Sequence, residues 1–373
     1  MKIVLVMLVL LLICGGISVN AATVEELYEE QLDASGGREL LSQLPEETQE
    51  LLSRLGIEEL ESLAELDTDT VWRQLWEIAA DAFREPLAVA GLVAAAIILY
   101  AWIDGLRHTL RSEETSSVFG AVCALVLCGS LLVPLSECIR RVNEAMTSVA
   151  VFMGSFTPVY AAVLLSGGRS ATALSFQSIV LYASQLLSWL SSGVIVPLMT
   201  VSLALGVTGS VTPQVKLGGA GKLIGKTAVR LLTFGMMLFA GLLSLQSLTG
   251  AAADNLGMRA MRFSIASFVP VVGGSLSEAF STIRGCLQLL RSTLGGFGMV
   301  ATALIVLPSL LRCVGWSALL TVCRTMAELF SLRTAVDVLE AAAGTMKCLI
   351  GVLCACGSFL IIAVTVVTTA AGG

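Results

Sequence analysis

The chain has 373 residues, of which only 13% are charged and 56% hydrophobic, with a mean hydropathy of +0.88. Soluble domains carry roughly 25% charged residues, so this composition leaves too little polar surface to face water and excludes an ordinary soluble globular protein. The net charge of −6 is segregated. Residues 22–86 hold 18 acidic and 4 basic residues, whereas 87–373 hold 10 and 17. Two environments are expected, and neither suits nucleic acid, because the acidic part repels phosphate and the cations elsewhere are thinly spread.

The first 21 residues read as a secretory signal. Lys2 is the charged start, 3–13 the apolar stretch, and Val19, Asn20 and Ala21 a small-residue cleavage site. An uncleaved anchor is the alternative. Residues 22–86 then read as an acidic helical module on the extracytoplasmic side. Pro45 is placed to open a helix that puts Leu51, Leu52 and Leu55 on one face, and Gly56 is placed to end it. Thr68 or Asp69 caps the next helix, which carries Trp72 and Trp76 and runs directly into the apolar region. Sixty-odd residues make a marginal core, so the module is expected to lean on the rest of the chain or on a partner.

From residue 87 onward apolar runs alternate with short polar breaks, giving an all-α polytopic membrane domain over 87–373. Eight spans are expected, at 87–103, 118–136, 145–166, 172–190, 193–211, 231–253, 294–311 and 348–371. Segments 264–281 and 313–330 are apolar but carry Glu278, Arg324 and Glu328, which suits re-entrant or interfacial pieces. With the module outside, the inside loops hold eleven cations, Arg169 among them, and the outside loops six. The strongest marker is 216–230, with Lys216, Lys222, Lys226 and Arg230 and no acid.

Ten cysteines lie mostly in apolar runs, for example Cys123, Cys128, Cys348, Cys354 and Cys356, and His108 is the sole histidine. Cysteine as a small packing residue is the reading, with no metal site or cofactor expected. No Walker A loop, HExxH or GxSxG occurs, so no enzyme is expected. One internal echo stands out. Ser155, Phe156, Thr157, Pro158 and Val159 resemble Ser267, Phe268, Val269, Pro270 and Val271, and each is followed by a glycine pair, Gly167–Gly168 and Gly273–Gly274. Paired Pro/Gly interruptions in two halves point to a transporter-like site, or to chance in a low-complexity sequence. Asp254, Arg259, Arg262 and Glu278 surround the apolar stretch 263–272. Charges near lipid are costly unless paired or wet, so they either pair to hold a bent segment or line a water-filled path.

The stretches FMGSFTPVYAAVLLSGGRSATALSF at 152–176, VIVPL at 194–198 and GLLSLQSLTGAAADNLGMRAMRFSIASFVPVVGGSLSEAF at 241–280 resemble the stage III sporulation protein AE family of endospore-forming Firmicutes. The resemblance covers roughly 87–373. It implies a multi-pass protein of the mother-cell membrane, one part of a complex that joins a forespore-membrane partner and resembles a secretion or feeding channel. Partners would be the other membrane proteins of that complex, lipid, and a second copy of the chain. The family carries no established catalytic residues; its recurring text maps onto Pro158, Gly167, Gly168, Asp254, Pro270, Gly273 and Gly274. A stand-alone small-molecule permease is the competing reading.

Overall fold

The computed structural model describes residues 22–57, 68–110, 113–211, 217–268 and 273–370. Every regular element among them is helical. The chain runs α1 (Ala22–Ser35), α2 (Glu39–Ser42), α3 (Glu46–Arg54), α4 (Thr68–Leu110), α5 (Glu113–Ser166), α6 (Ser170–Leu190), a π-helical turn (Ser191–Ile195), α7 (Val196–Val211), α8 (Leu217–Phe268), α9 (Gly273–Leu329) and α10 (Arg333–Ala370). The expected signal at 1–21 lies outside the described residues.

Among the described residues, six stretches are long and apolar enough to cross a membrane: Asp69–Ile103, Leu125–Ser166, Ser170–Gly206, Gly219–Ala260, Gly285–Leu329 and Arg333–Thr369. The eight expected spans thus merge. Glu137, Arg140, Arg141 and Glu144 break the apolar run but not the helix. Arg140 pairs with Glu137 at 2.6 Å and with Glu144, and Arg141 lies 3.2 Å from Glu137. Such i,i+3 and i,i+4 pairs hold a helix together across a polar patch. At 191–192 a π-helical turn carries α6 into α7. The Ser191 hydroxyl donates to Asn143 Oδ1 at 2.9 Å, and the Ser192 hydroxyl to the same oxygen at 3.2 Å. Segment 313–329 continues α9 without a break, burying Cys313, Trp316, Leu320, Cys323 and Ala327 at helical spacing. It is a helix end, not a re-entrant loop; in the companion segment 264–281, residues 269–272 lie outside the described residues, after the end of α8 and before the start of α9.

These merges have a topological consequence. Arg169, expected inside, stands at the end of the bundle that holds Asp254, because the turn after α5 meets α8 there. At the opposite end a Cβ added to Gly206 would lie 2.7 Å from Ala341 Cβ, so α7 and the start of α10 meet. With 54 residues, α5 is about 80 Å long at ~1.5 Å per residue, far beyond the ~30 Å of a bilayer core. Only part of such a helix sits in hydrocarbon.

The helices around 22–57 are short and locally specified. Pro45 O accepts from Thr48 N and Gln49 N at 2.8 and 3.0 Å, starting α3. Gly56 ends it at φ +77, with Ile57 N bonded to Leu52 O and Gly56 N to Ser53 O. Tyr28, Leu32, Leu40, Leu44, Leu52 and Ile57 join one apolar core with residues of α4 to α10. The acidic segment does lean on the bundle: α1 contacts α5 and α9, and α3 contacts α9. Its carboxylates at Asp33, Glu39, Glu46, Glu47 and Glu50 are exposed.

Candidate functional site

The two stretches with the most distinctive text, 152–176 and 241–280, meet in space through residues 250–258 of the second. The first builds an aromatic ladder along α5. Phe152, Phe156 and Tyr160 stack at 5.7 and 5.4 Å, one helical turn apart, and Tyr160 meets Phe176 of α6 at 5.2 Å. Phe297 of α9 closes on Phe152 edge-to-face at 6.2 Å. Gly298 makes room for this ladder, since a Cβ there would lie 2.6 Å from Phe156 Cζ. Pro158 sits inside α5 without ending it. A proline ring needs space at the carbonyl four residues earlier, and that residue is Gly154.

The helix ends at the glycine pair. Gly168 has φ +72, Arg169 N bonds Leu164 O at 3.0 Å, and Gly168 N bonds Leu165 O at 2.9 Å. This left-handed closure leaves Arg169 in the cap position of α6, where it is buried. An arginine side chain has no acceptor for the free amides of a helix start. The acceptor comes from 82 and 83 residues away: Asp254 Oδ1 accepts from Ala171 N at 2.9 Å, and Oδ2 from Thr172 N at 3.0 Å. Asp254 is 6% exposed, so these charge-assisted bonds form away from water at the positive end of the α6 dipole. The cap that the local sequence lacks is supplied by α8.

Close packing brings α8 there. Ala228, Leu232, Met236, Leu243, Ser247, Gly250 and Asp254 form one buried stripe, with half-buried Phe239 and Ala240 between Met236 and Leu243 keeping the three- and four-residue spacing. A Cβ on Gly250 would sit 3.2 Å from both Thr172 Cα and Thr172 N. Thr172 Oγ1 and Ser247 Oγ are buried without a hydrogen-bond partner among the described residues.

Asp254 does not pair with Arg259: Arg259 is exposed, and no ion pair joins the two among the described residues. Five residues separate them, which sets them on different faces of α8. Among the described residues Asp254 thus forms a carboxylate-to-backbone cap, and Arg259 is not its partner. The side chains of Arg262 and Glu278 and the whole of Pro270 lie outside the described residues. The glycine pairs differ in role, since Gly167 and Gly168 close α5 whereas Gly273 and Gly274 open α9. Sequence reasoning missed Thr172, Gly250 and Gly298. Only the regular α8 stripe leading to Gly250 and Asp254 could have signalled part of this.

Fold and site together define a multi-pass helical membrane protein whose helix bundle is locked at one end by a carboxylate bridging α8 to α6. The sequence profile of the family "Stage III sporulation protein AE (spore_III_AE)" matches residues 56–371, and the chain belongs to that family. A curated relative, "Stage III sporulation protein AE" of Bacillus subtilis (strain 168), is 25% identical over 220 residues, 58% of this chain and 55% of the relative. The match thus spans about half the length of that relative. No solved structure matches. Family membership implies a role in sporulation.

Proposed function

We propose that this chain is a non-enzymatic, multi-pass component of a channel-like complex between mother cell and forespore, seated in the mother-cell membrane and joined to a forespore-membrane partner. The observation that carries this reading is the family match, which extends over the whole helical bundle from residue 56 to 371. The capped joint at Asp254 supports a scaffold role, because it fixes helix ends rather than presenting reactive groups. In this reading residues 22–86 face the space between the two membranes after signal removal. Their apolar face is used against α5 and α9, so the exposed carboxylates of α1 to α3 are the surface a partner would meet.

Deleting the gene is the test. Vegetative growth should be normal, and spore formation should stop after engulfment with small or collapsing forespores. Normal sporulation in the deletion strain overturns the proposal. A nutrient-dependent growth defect in dividing cells would instead support the permease reading.

A further inference from the structure

A cleft of about 200 Å³ lies between α7, α8, α9 and α10, far along the bundle from the Asp254 joint. Three cations from three helices line it: Lys226 of α8, Arg324 of α9 and Lys347 of α10. Glu340 lines it too, and Arg324 is held by Glu328 of its own helix at 2.7 Å. The cations exceed these two carboxylates, and Lys226 and Lys347 form no ion pair among the described residues. The hydroxyls of Ser202, Thr321 and Thr345 also line it, but each already donates its one proton, to Gly221 O, Ser317 O and Ala341 O, so the cations are the donors open to a ligand.

The position of the cleft is as informative as its charge. Residues 231–253 of α8 and 348–370 of α10 contain no charged side chain; the run in α10 begins directly after Lys347, and that in α8 just over one turn past Lys226, after Arg230. The two helices run side by side in the same direction. A Cβ on Gly225 would lie 3.3 Å from Cys348 Sγ, and one on Gly351 would lie 3.1 Å from Val229 Cγ1. Lys226 and Lys347 therefore mark one level, the boundary at which both helices become fit for hydrocarbon. Beside the cations, Leu223 and Val322 stand 64% and 60% exposed. A site with cationic donors within and bare aliphatic side chains alongside matches a molecule with a phosphate and an acyl chain.

We infer that this cleft binds the phosphate of an anionic phospholipid headgroup at one face of the membrane. The full chain in nanodiscs provides the test, with native mass spectrometry counting retained lipid. Discs of phosphatidylcholine alone are compared with discs containing phosphatidylglycerol. Wild-type protein should retain phosphatidylglycerol preferentially. Each cation near an anionic headgroup contributes about fivefold in affinity, so K226Q/K347Q should weaken retention by about thirtyfold. K226R/K347R should keep it, which separates lost charge from a folding defect. R259Q, which changes an exposed cation at the other end, should have no effect. Equal retention by wild type and K226Q/K347Q overturns the inference. Protection by inorganic phosphate in phosphatidylcholine discs without any phosphatidylglycerol preference overturns the lipid assignment, because the ligand would then be a soluble anion.

Discussion

Replacing Asp254 with alanine removes both acceptors at the start of α6 and leaves the amides of Ala171 and Thr172 without partners at a joint where Thr172 is 1% and Asp254 6% exposed. Hydrogen bonds to charged groups contribute roughly 1.5–3 kcal/mol each, and loss of an N-cap alone costs about 1 kcal/mol. The two terms overlap, so about 3 kcal/mol is expected, on the order of a hundredfold in the local closing equilibrium. Asn at 254 keeps one acceptor oxygen and turns a donor toward the second amide, which should cost about half as much. Hydrogen–deuterium exchange of peptides covering 167–176 reads the joint directly, and denaturant titration in mixed micelles reads the whole bundle. Exchange should rise in the order wild type, Asp254→Asn, Asp254→Ala. Identical exchange and unfolding curves for Asp254→Ala and wild type would refute the capping argument. Normal stability with failed sporulation would instead assign Asp254 to a path.

Gly298→Ala places a methyl 2.6 Å from Phe156 Cζ, against a ring already stacked on Phe152 and Tyr160, so overpacking should cost about 1–3 kcal/mol and lower the unfolding midpoint. An unchanged midpoint would mean that the ladder yields. Leu52→Ala empties a site 1% exposed, at a cost of about 2–5 kcal/mol, and limited proteolysis should then cut within 22–57 much faster than in wild type. Equal cutting rates would show that these helices do not depend on Leu52. Topology is checked by a single cysteine at Gly219 in a variant lacking the native cysteines. With Lys216, Lys222, Lys226 and Arg230 held in the cytosol, an impermeant thiol reagent should fail to label it in intact cells, and ready labelling would invert the orientation.

Features set by neighbours in the chain were legible without coordinates. The low charge alone requires lipid as a solvent. Pro45 and Gly56 bound α3 because a fixed φ and a left-handed closure are local properties. Hydropathy located the apolar runs, but a polar break need not be a turn. The four charged residues at 137–144 satisfy one another along a single helix surface, which merges two expected spans and moves Arg169 to the end that holds Asp254; the π-helical turn at Ser191–Ile195 merges two more, so eight expected spans become six.

Asp254 shows where sequence stops. Its charge near lipid demanded a partner, and the nearest cations in sequence, Arg259 and Arg262, were the natural choice. Two backbone amides 82 and 83 residues away donate to it where Arg259 does not, because Gly250 lets α8 approach α6 closely and Arg169 cannot cap its own helix. The cleft of Lys226, Arg324 and Lys347 likewise exists only once three helices converge. Sequence by itself determined the solvent, the helical class and the local helix ends, since each depends on composition or on residues within a few positions. Tertiary structure alone decided which buried donors meet which acceptors, because that depends on the close approach of segments far apart in the chain.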